Sequence, residues 1–174
     1  MSLRLKKFYT SREVAALTGL TARQLQWWDS RRVFTAARAT QRTEAGGFTE
    51  RRYTAIDVIE LQVLADLRRR GFSIPRLRRL LTALRDVFGI RLYEAIGDGG
   101  PMTLFLGGDQ LYARTVDGRI FNMEAPTQPL LVVGEEVSLR PLTARERKRR
   151  PAPRVKKTAS GLETLSRGRR PDAG

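Results

Sequence analysis

The sequence predicts an α+β fold, in which a helical head precedes a small strand-rich unit and a basic tail. Three observations predict it: capped helix starts in the first half of the chain, a hairpin signal in the second half, and a charge distribution that changes sign twice. The predicted parts are a head of about four helices and a β-hairpin over residues 1–89, a strand-rich unit over 90–142 and a disordered tail over 143–174.

The charge distribution divides the 174-residue chain into three segments that nearly coincide with these predicted parts. Residues 1–85 carry 18 Lys and Arg against 7 Asp and Glu, residues 86–142 carry 4 against 8, and residues 143–174 carry 11 against 3. The formal net charge of +15 favours an anionic partner, nucleic acid before an anionic membrane, with a charge kept only for solubility as the alternative. The tail has too few apolar residues to offset the entropy of ordering, so we expect it to be disordered.

Composition leaves few catalytic options. The chain has no cysteine and no histidine, which removes thiolate nucleophiles, the usual proton shuttle and the commonest metal ligands. Asp98, Asp109 and Asp117 fall at turns, where Asp is expected for backbone reasons. We therefore expect no enzyme activity and no cofactor or metal. With no apolar run of about 18 residues and no signal-peptide stretch, we expect a cytoplasmic protein without a membrane partner.

Two short helices are predicted at the start of the head. Capping boxes begin at Thr10 and Thr21, each with an acceptor side chain three residues later. The first helix, roughly residues 11–17, ends before Gly19, which permits the left-handed turn between two helices. This spacing is that of a helix-turn-helix. The residues expected in the core from the first helix are Val14, Ala15 and Leu17.

The second helix, about residues 22–30, is predicted to have two different faces. At 100° per residue, one side carries Ala22, Leu25, Trp28 and Asp29. Arg23, Gln26 and Trp27 then point away from it. A guanidinium, an amide and an indole N–H suit the base edges and phosphates of a major groove. The alternatives are that Trp27 covers a neighbouring element as core and that Arg23 is a solvated charge.

A polar stretch after the second helix predicts a β-wing. Two short extended arms, one containing Arg38 and Arg42 and the other residues 51–53, flank a tip that holds Gly46 and Gly47. The arginines of such a wing would lie along the phosphate backbone. A long surface loop is the alternative.

Two longer helices complete the predicted head. The third, residues 55–70, starts after Thr54 and ends at Gly71, and the fourth follows a Ser73 cap and ends at Gly89. Arginine clusters at 68–70 and 76–79 are either solvated charges or further phosphate contacts. The expected core positions are Ile56, Ile59, Val63, Leu64 and Leu67 in the third helix, and Ile74, Leu77, Leu81, Leu84 and Phe88 in the fourth.

The strand-rich unit is predicted from a turn signal. Residues 116–119, with Asp117-Gly118 at the centre, indicate a type I′ hairpin between strands at 111–115 and 120–123. Apolar runs at 103–106, 130–133 and 137–140 predict further strands. Such a sheet is too small for a large drug-binding cavity, so interaction or dimerisation is its expected task.

The order of these elements and the residues themselves resemble the MerR family of transcription regulators. The matching residues are 9–29, Arg38, 51–53 and 67–74, about half of the chain. In that family the second helix enters the major groove and the wing holds the DNA backbone. The resemblance implies a sequence-specific regulator with a winged helix-turn-helix. The candidate DNA-binding residues are Thr21, Arg23, Gln24, Gln26, Trp27, Arg38, Arg42, Arg51, Arg52 and Tyr53.

The chain departs from the family pattern at three places. Residues 26–29 read Gln-Trp-Trp-Asp where relatives have an Arg, two Tyr and an acid, so one expected phosphate-binding charge is missing. Arg32 stands where Gly is usual. Gly89 interrupts the chain before the long dimerisation helix that relatives have, so we expect the contact of a homodimer to lie within residues 90–142.

Two alternatives to a plain regulator remain open. Residues 59–133 resemble, more weakly, a domain of VapB-type antitoxins, which predicts an antitoxin that binds a toxin protein and represses its own operon. An architectural or excision factor that bends DNA is the third hypothesis. The expected partners are double-stranded DNA, a second copy of the chain, and either a toxin protein or RNA polymerase, at the bacterial nucleoid.

Overall fold

The structure, a computed structural model, describes residues 6–35, 38–42, 49–97, 99–130 and 140–144. For residues 38–42 and 49–50 it describes the backbone alone. The expectations for the hairpin tip, for strands within residues 131–139 and for the tail beyond residue 144 lie outside these ranges.

The described residues form an α+β fold with four α-helices and two antiparallel sheets, so the predicted class is confirmed. The helices are α1 (Ser11–Thr18), α2 (Ala22–Ser30), α3 (Ala55–Arg69) and α4 (Ile74–Asp86), followed by a 3₁₀ helix (Leu92–Ala95). The first sheet has the order β1-β3-β2, with β1 (Tyr9–Thr10), β2 (Arg38–Arg42) and β3 (Thr49–Tyr53). The second has the order β7-β6-β5-β4-β8, with β4 (Met102–Gly107), β5 (Gln110–Thr115), β6 (Ile120–Asn122), β7 (Pro129–Leu130) and β8 (Arg140–Pro141).

Reciprocal caps begin the first three helices, as predicted. At Thr10, Thr21 and Thr54 the hydroxyl accepts the backbone N–H three residues later, whose side chain accepts the threonine N–H, at 2.8 to 3.3 Å. Each cap satisfies donors that the first helical turn leaves unpaired. Gly19, with φ of 77°, ends α1 in the left-handed conformation and sets the turn into α2.

The predicted core stripes need correction in each of the three helices concerned. In α1, Leu17 is exposed and Thr18 is buried instead, with its hydroxyl donating to the Val14 carbonyl at 2.8 Å. In α3, Ile56 is exposed, whereas Val58 and Leu61 are buried beside the predicted positions. The reason is that α3 is covered on more than one side, by α1 and α4 and also by the 3₁₀ helix. In α4, Leu80 and Ala83 join the core, while Ile74, Leu81 and Phe88 are only partly buried.

The β5–β6 turn is a three-residue loop, so the predicted type I′ turn is wrong. Thr115 N–H donates to the Arg119 carbonyl and Gly118 N–H donates to the Thr115 carbonyl, both at 2.9 Å. Gly118 has a φ of 85°, but Asp117 does not have a positive φ. A type I′ turn requires positive φ at two residues, whereas this loop places only the glycine there, which avoids a strained aspartate.

Helix α4 ends close to Gly89, as predicted, and the chain then returns to the core. Gly89 N–H donates to the Arg85 carbonyl and Ile90 N–H to the Leu84 carbonyl, a glycine-ended cap. The buried residues that follow, Leu92 and Ala95 among them, join one hydrophobic cluster with α3 and α4. The core is therefore continuous across the proposed domain boundary at residue 89. None of the described helices has the length and apolar character needed to cross a membrane.

Candidate nucleic-acid interface

Helix α2 is built with a buried face and an exposed face. Leu25 and Trp28 are buried, and Trp28 is only 4% exposed, whereas its neighbour Trp27 is 43% exposed. Arg23 and Gln26 are exposed on the same outer side as Trp27. The alternative that Trp27 is a core residue is therefore wrong. The helix is anchored by Trp28, whose backbone carbonyl also accepts the N–H of Val33 at 2.9 Å where the chain leaves the helix.

The first turn of α2 is polar and held by its cap. The Gln24 side-chain oxygen accepts the Thr21 N–H at 2.8 Å, and the Thr21 hydroxyl accepts the Gln24 N–H at 3.0 Å. Both residues are exposed candidates for DNA contact. In the free protein, however, these two polar atoms already serve the helix start. Their first task is to fix the position of the Arg23 backbone between them.

Two arginines, Arg31 and Arg32, follow the far end of α2, and Arg31 was not among the residues predicted to bind DNA. The Arg31 guanidinium lies 5.6 Å from the centre of the Trp27 ring, and the Arg31 carbonyl accepts the Arg78 guanidinium at 2.7 Å. The side chains of Arg31 and Arg78 are both exposed. The four-residue spacing from Trp27 to Arg31 would have indicated this contact, because such residues are neighbours on a helix surface. The outer face of α2 therefore continues into α4 as a positively charged surface.

The three consecutive candidates at the end of β3 have different environments. Arg51 pairs with Asp29 at 2.8 Å, which ties β3 to α2. Arg52 is exposed. Tyr53 is only 2% exposed, and its burial raises the pKa of its hydroxyl, which is hydrogen-bonded to Ser11. Of the three, Arg52 alone presents a freely accessible cation to a phosphate.

The β2 candidates are placed by their backbone. In the antiparallel pair with β3, Arg38 is opposite Arg52 and Arg42 is opposite Thr49, with a register shift between Arg38 and Gln41. The two predicted arms therefore pair as a hairpin. Since Arg51 of β3 contacts α2, this hairpin and the second helix form one connected surface.

Charge on this surface is predominantly positive. Asp29, the acid of α2, is neutralised by Arg51, and Glu13 of α1 pairs with Lys6 at 2.5 Å. Among the described residues, no carboxylate pairs with Arg23 or Arg52. Two capped helices are joined by a left-handed glycine, and the second carries Arg23 and the exposed Trp27 indole on its outer face. This arrangement is that of a helix-turn-helix suited to duplex DNA.

Comparison with known families agrees with this geometry. Residues 9–84 match the family model described as MerR HTH family regulatory protein. Over these residues the chain is similar to the MerR family of helix-turn-helix regulatory proteins. A search of curated protein sequences finds no match to the chain. The antitoxin alternative, the homodimer and the toxin or polymerase partners stay predictions.

Proposed function

We propose that the chain is a sequence-specific transcription regulator that places α2 in the major groove and the β2–β3 hairpin as a wing on the phosphate backbone. The observation that carries the proposal is the outer face of α2. Arg23, Gln26 and Trp27 are exposed on this face. The only acid of the helix, Asp29, is neutralised by its ion pair with Arg51 of β3. A guanidinium and an amide can each form paired hydrogen bonds to base edges.

The proposal divides the candidate residues by task. Arg23, Gln26 and Trp27 face the bases. The phosphates are contacted by arginines of the hairpin and by one that follows α2: Arg38, Arg42, Arg52 and Arg31. Arg51 and Tyr53 act inside the protein, because Arg51 holds the hairpin to α2 and Tyr53 is buried against α1. Thr21 and Gln24 fix the helix start. The proposed activity is binding, and no catalytic step is part of it.

Selection of a preferred duplex from a random pool, followed by two matched variants, tests this proposal. Arg23→Ala should weaken the selected duplex by about 1–3 kcal/mol and a scrambled duplex much less, because base contacts carry sequence information. Arg52→Ala should weaken both duplexes alike, because phosphate contacts do not. Each variant removes one positive charge, so their comparison is independent of net charge.

Salt dependence provides the control for the electrostatic part. With about 6–10 phosphate contacts per dimer, affinity should fall roughly 10³–10⁵-fold between 50 and 200 mM salt. Loss of equal size for both variants on both duplexes, or selection that yields no preferred sequence, would contradict sequence-specific readout by α2.

A further inference from the structure

A cavity of about 430 Å³ opens on the molecule between the segment that leaves α2, helix α4 and the 3₁₀ helix. Its size lies within the range of small-molecule sites, about 300–1,000 Å³. From the segment after α2, residues 32–35 line the cavity, and the residues of α2 proposed to contact DNA do not. The cavity is therefore separate from the proposed DNA-binding face.

The wall of the cavity is partly apolar. Val33 and Phe34 line it from the α2 side, Leu81 from α4, and Ile90 and Leu92 from the segment that follows α4. Leu81 and Ile90 are only partly buried, so part of their apolar surface faces the cavity mouth. Such a surface favours a ligand with an apolar body, because contact removes apolar area from water.

The carboxylates of the lining already have partners within the protein. Glu60 accepts the Arg91 guanidinium at 2.5 Å and also the Tyr93 N–H at 3.1 Å. Asp57 accepts Arg91 at 3.3 Å and the Thr54 N–H at 2.8 Å. The remaining acid of the lining, at position 94, accepts the Arg91 N–H at 2.8 Å. Asp57 and Glu60 hold the 3₁₀ helix to α3, and the acid at position 94 caps that helix itself.

The arginines of the lining are less fully engaged. Among the described residues no carboxylate pairs with Arg32. In the part of the chain that the structure describes, Arg85 pairs only with its sequence neighbour Asp86, and both side chains are largely exposed, so the pair is weak. Arg91 is half-exposed even with its two acids bound. Arg32 and Arg85 are therefore the cations that the acids of the lining leave available. In formal charge the three arginines and the three acids of the lining cancel, so an anion would be held by these two side chains and not by a general positive charge of the cavity.

Arg32 is also unusual in its backbone. Its φ is 52°, and it is the one non-glycine residue with positive φ among those that the structure describes. Glycine adopts this conformation without strain, whereas arginine does not. The conformation ends α2, because Arg32 N–H donates to the Asp29 carbonyl at 3.0 Å and Val33 N–H to the Trp28 carbonyl at 2.9 Å, as in helix caps that usually carry glycine. Arg32 is among the residues that line the cavity, so a residue with a cationic side chain stands at this helix end.

We propose that this cavity binds a small organic anion, a carboxylate with an apolar body, with its charge on Arg32 and Arg85 and its apolar part against Phe34 and Leu81. A carboxylate and a guanidinium can form two parallel hydrogen bonds. The proposal does not depend on DNA binding, because the residues that carry it lie outside the proposed base-reading face.

Three probes of similar shape and different charge test the proposal on the full chain: benzoate, benzamidinium and neutral benzyl alcohol. Methyl NMR signals of Val33, Leu81 and Ile90 report on the cavity itself. Benzoate should shift these methyl signals saturably, with at least about tenfold higher affinity than benzyl alcohol, since the ion pair adds to the apolar contact. Benzamidinium should not saturate the site.

Two variants with the same change in charge assign the effect to Arg32. Arg32→Gly should lower benzoate affinity about tenfold or more, and glycine tolerates the left-handed backbone, so the fold is retained. Arg31→Ala, which removes the neighbouring cation outside the cavity, should leave benzoate affinity unchanged. Equal losses in both variants, stronger binding of benzamidinium, or no saturable shift of the cavity methyl groups would overturn the proposal.

Discussion

Arg32 shows at the scale of one residue how backbone conformation and side chain can be in conflict. The residue sits just after α2 with a φ of 52°, where a residue with a Cβ atom is strained. By the resemblance to MerR regulators, glycine is usual at this place. The sequence thus identified the position as a departure, but not that Arg32 lines a cavity, because the cavity is formed together with α4 and residues near position 90.

Replacement of Arg32 separates the two effects. We expect Arg32→Gly to be about 1 kcal/mol more stable than Arg32→Ala, because both lose the charge and only alanine keeps the left-handed strain. Free energies of unfolding from urea denaturation of both variants measure this difference. Equal stabilities, or a more stable alanine variant, would show that the backbone at this position is not strained.

The two adjacent tryptophans show which residue-level predictions the sequence could support. Helical periodicity correctly placed Trp28 inside and Trp27 outside. The same reasoning could not identify Arg51 and Tyr53 as internal, because the Arg51–Asp29 pair joins residues 22 positions apart and Tyr53 is covered by α1. A motif names residue types, while their burial is set by the elements packed over them.

Helix α3 shows the same limit at the scale of an element. The spacing of its apolar residues predicts one buried face, with the acids outside it. Asp57 and Glu60 are nevertheless buried, at 0% and 3% exposure. Both acids pair with Arg91, more than 30 residues later in the chain. No pattern within the helix indicates this, since burial of the acids depends on a cation that another segment supplies.

Loss of that cation should destabilise the protein strongly. Arg91→Ala removes the cation that pairs with the buried Asp57 and Glu60. We expect a loss of about 2–3 kcal/mol in the free energy of unfolding, below the full cost of a broken buried pair because Arg91 is half-exposed. The side-chain hydrogen bond to Glu60 is the main cause of the raised pKa of Arg91, so Glu60 is the partner to test.

A double-mutant cycle assigns the loss to this contact. Arg91→Ala combined with Glu60→Gln should cost less than the sum of the two single changes, because the second change removes the uncompensated charge left by the first. Urea denaturation of the four proteins at neutral pH provides the numbers. Strict additivity would mean that Arg91 stabilises the fold through packing and not through this pair.

At the scale of the whole molecule, the head and the second sheet share one hydrophobic core. Residues on both sides of position 89 belong to the same buried cluster, and Arg76 of α4 pairs with Glu124 at 2.6 Å beyond strand β6. The change in charge along the sequence predicted a boundary near this position. Charge describes the surface of a protein, and it does not show whether the buried residues on the two sides pack together. The homodimer remains a prediction, and proline in both edge strands, Pro129 and Pro141, disfavours direct pairing of the described sheet edges.

A shared core predicts that the two parts unfold together. The only tryptophans, at 27 and 28, report on the head, while the buried Met102 and Met123 report on the second sheet. Tryptophan fluorescence and methionine methyl NMR should give coincident urea midpoints, as expected for one cooperative unit. Separate midpoints would show two independently folding domains with a boundary near residue 89.

The central claim, that the outer face of α2 meets duplex DNA, is tested most directly by the indole N–H signals of the two tryptophans during titration of the full chain with its selected duplex. Trp27 is exposed on the proposed contact face and Trp28 is buried behind it, so each is the control for the other. The account predicts a saturable shift of the Trp27 signal with a much smaller change at Trp28. Saturation of the protein with DNA while the Trp27 signal stays in place would contradict it.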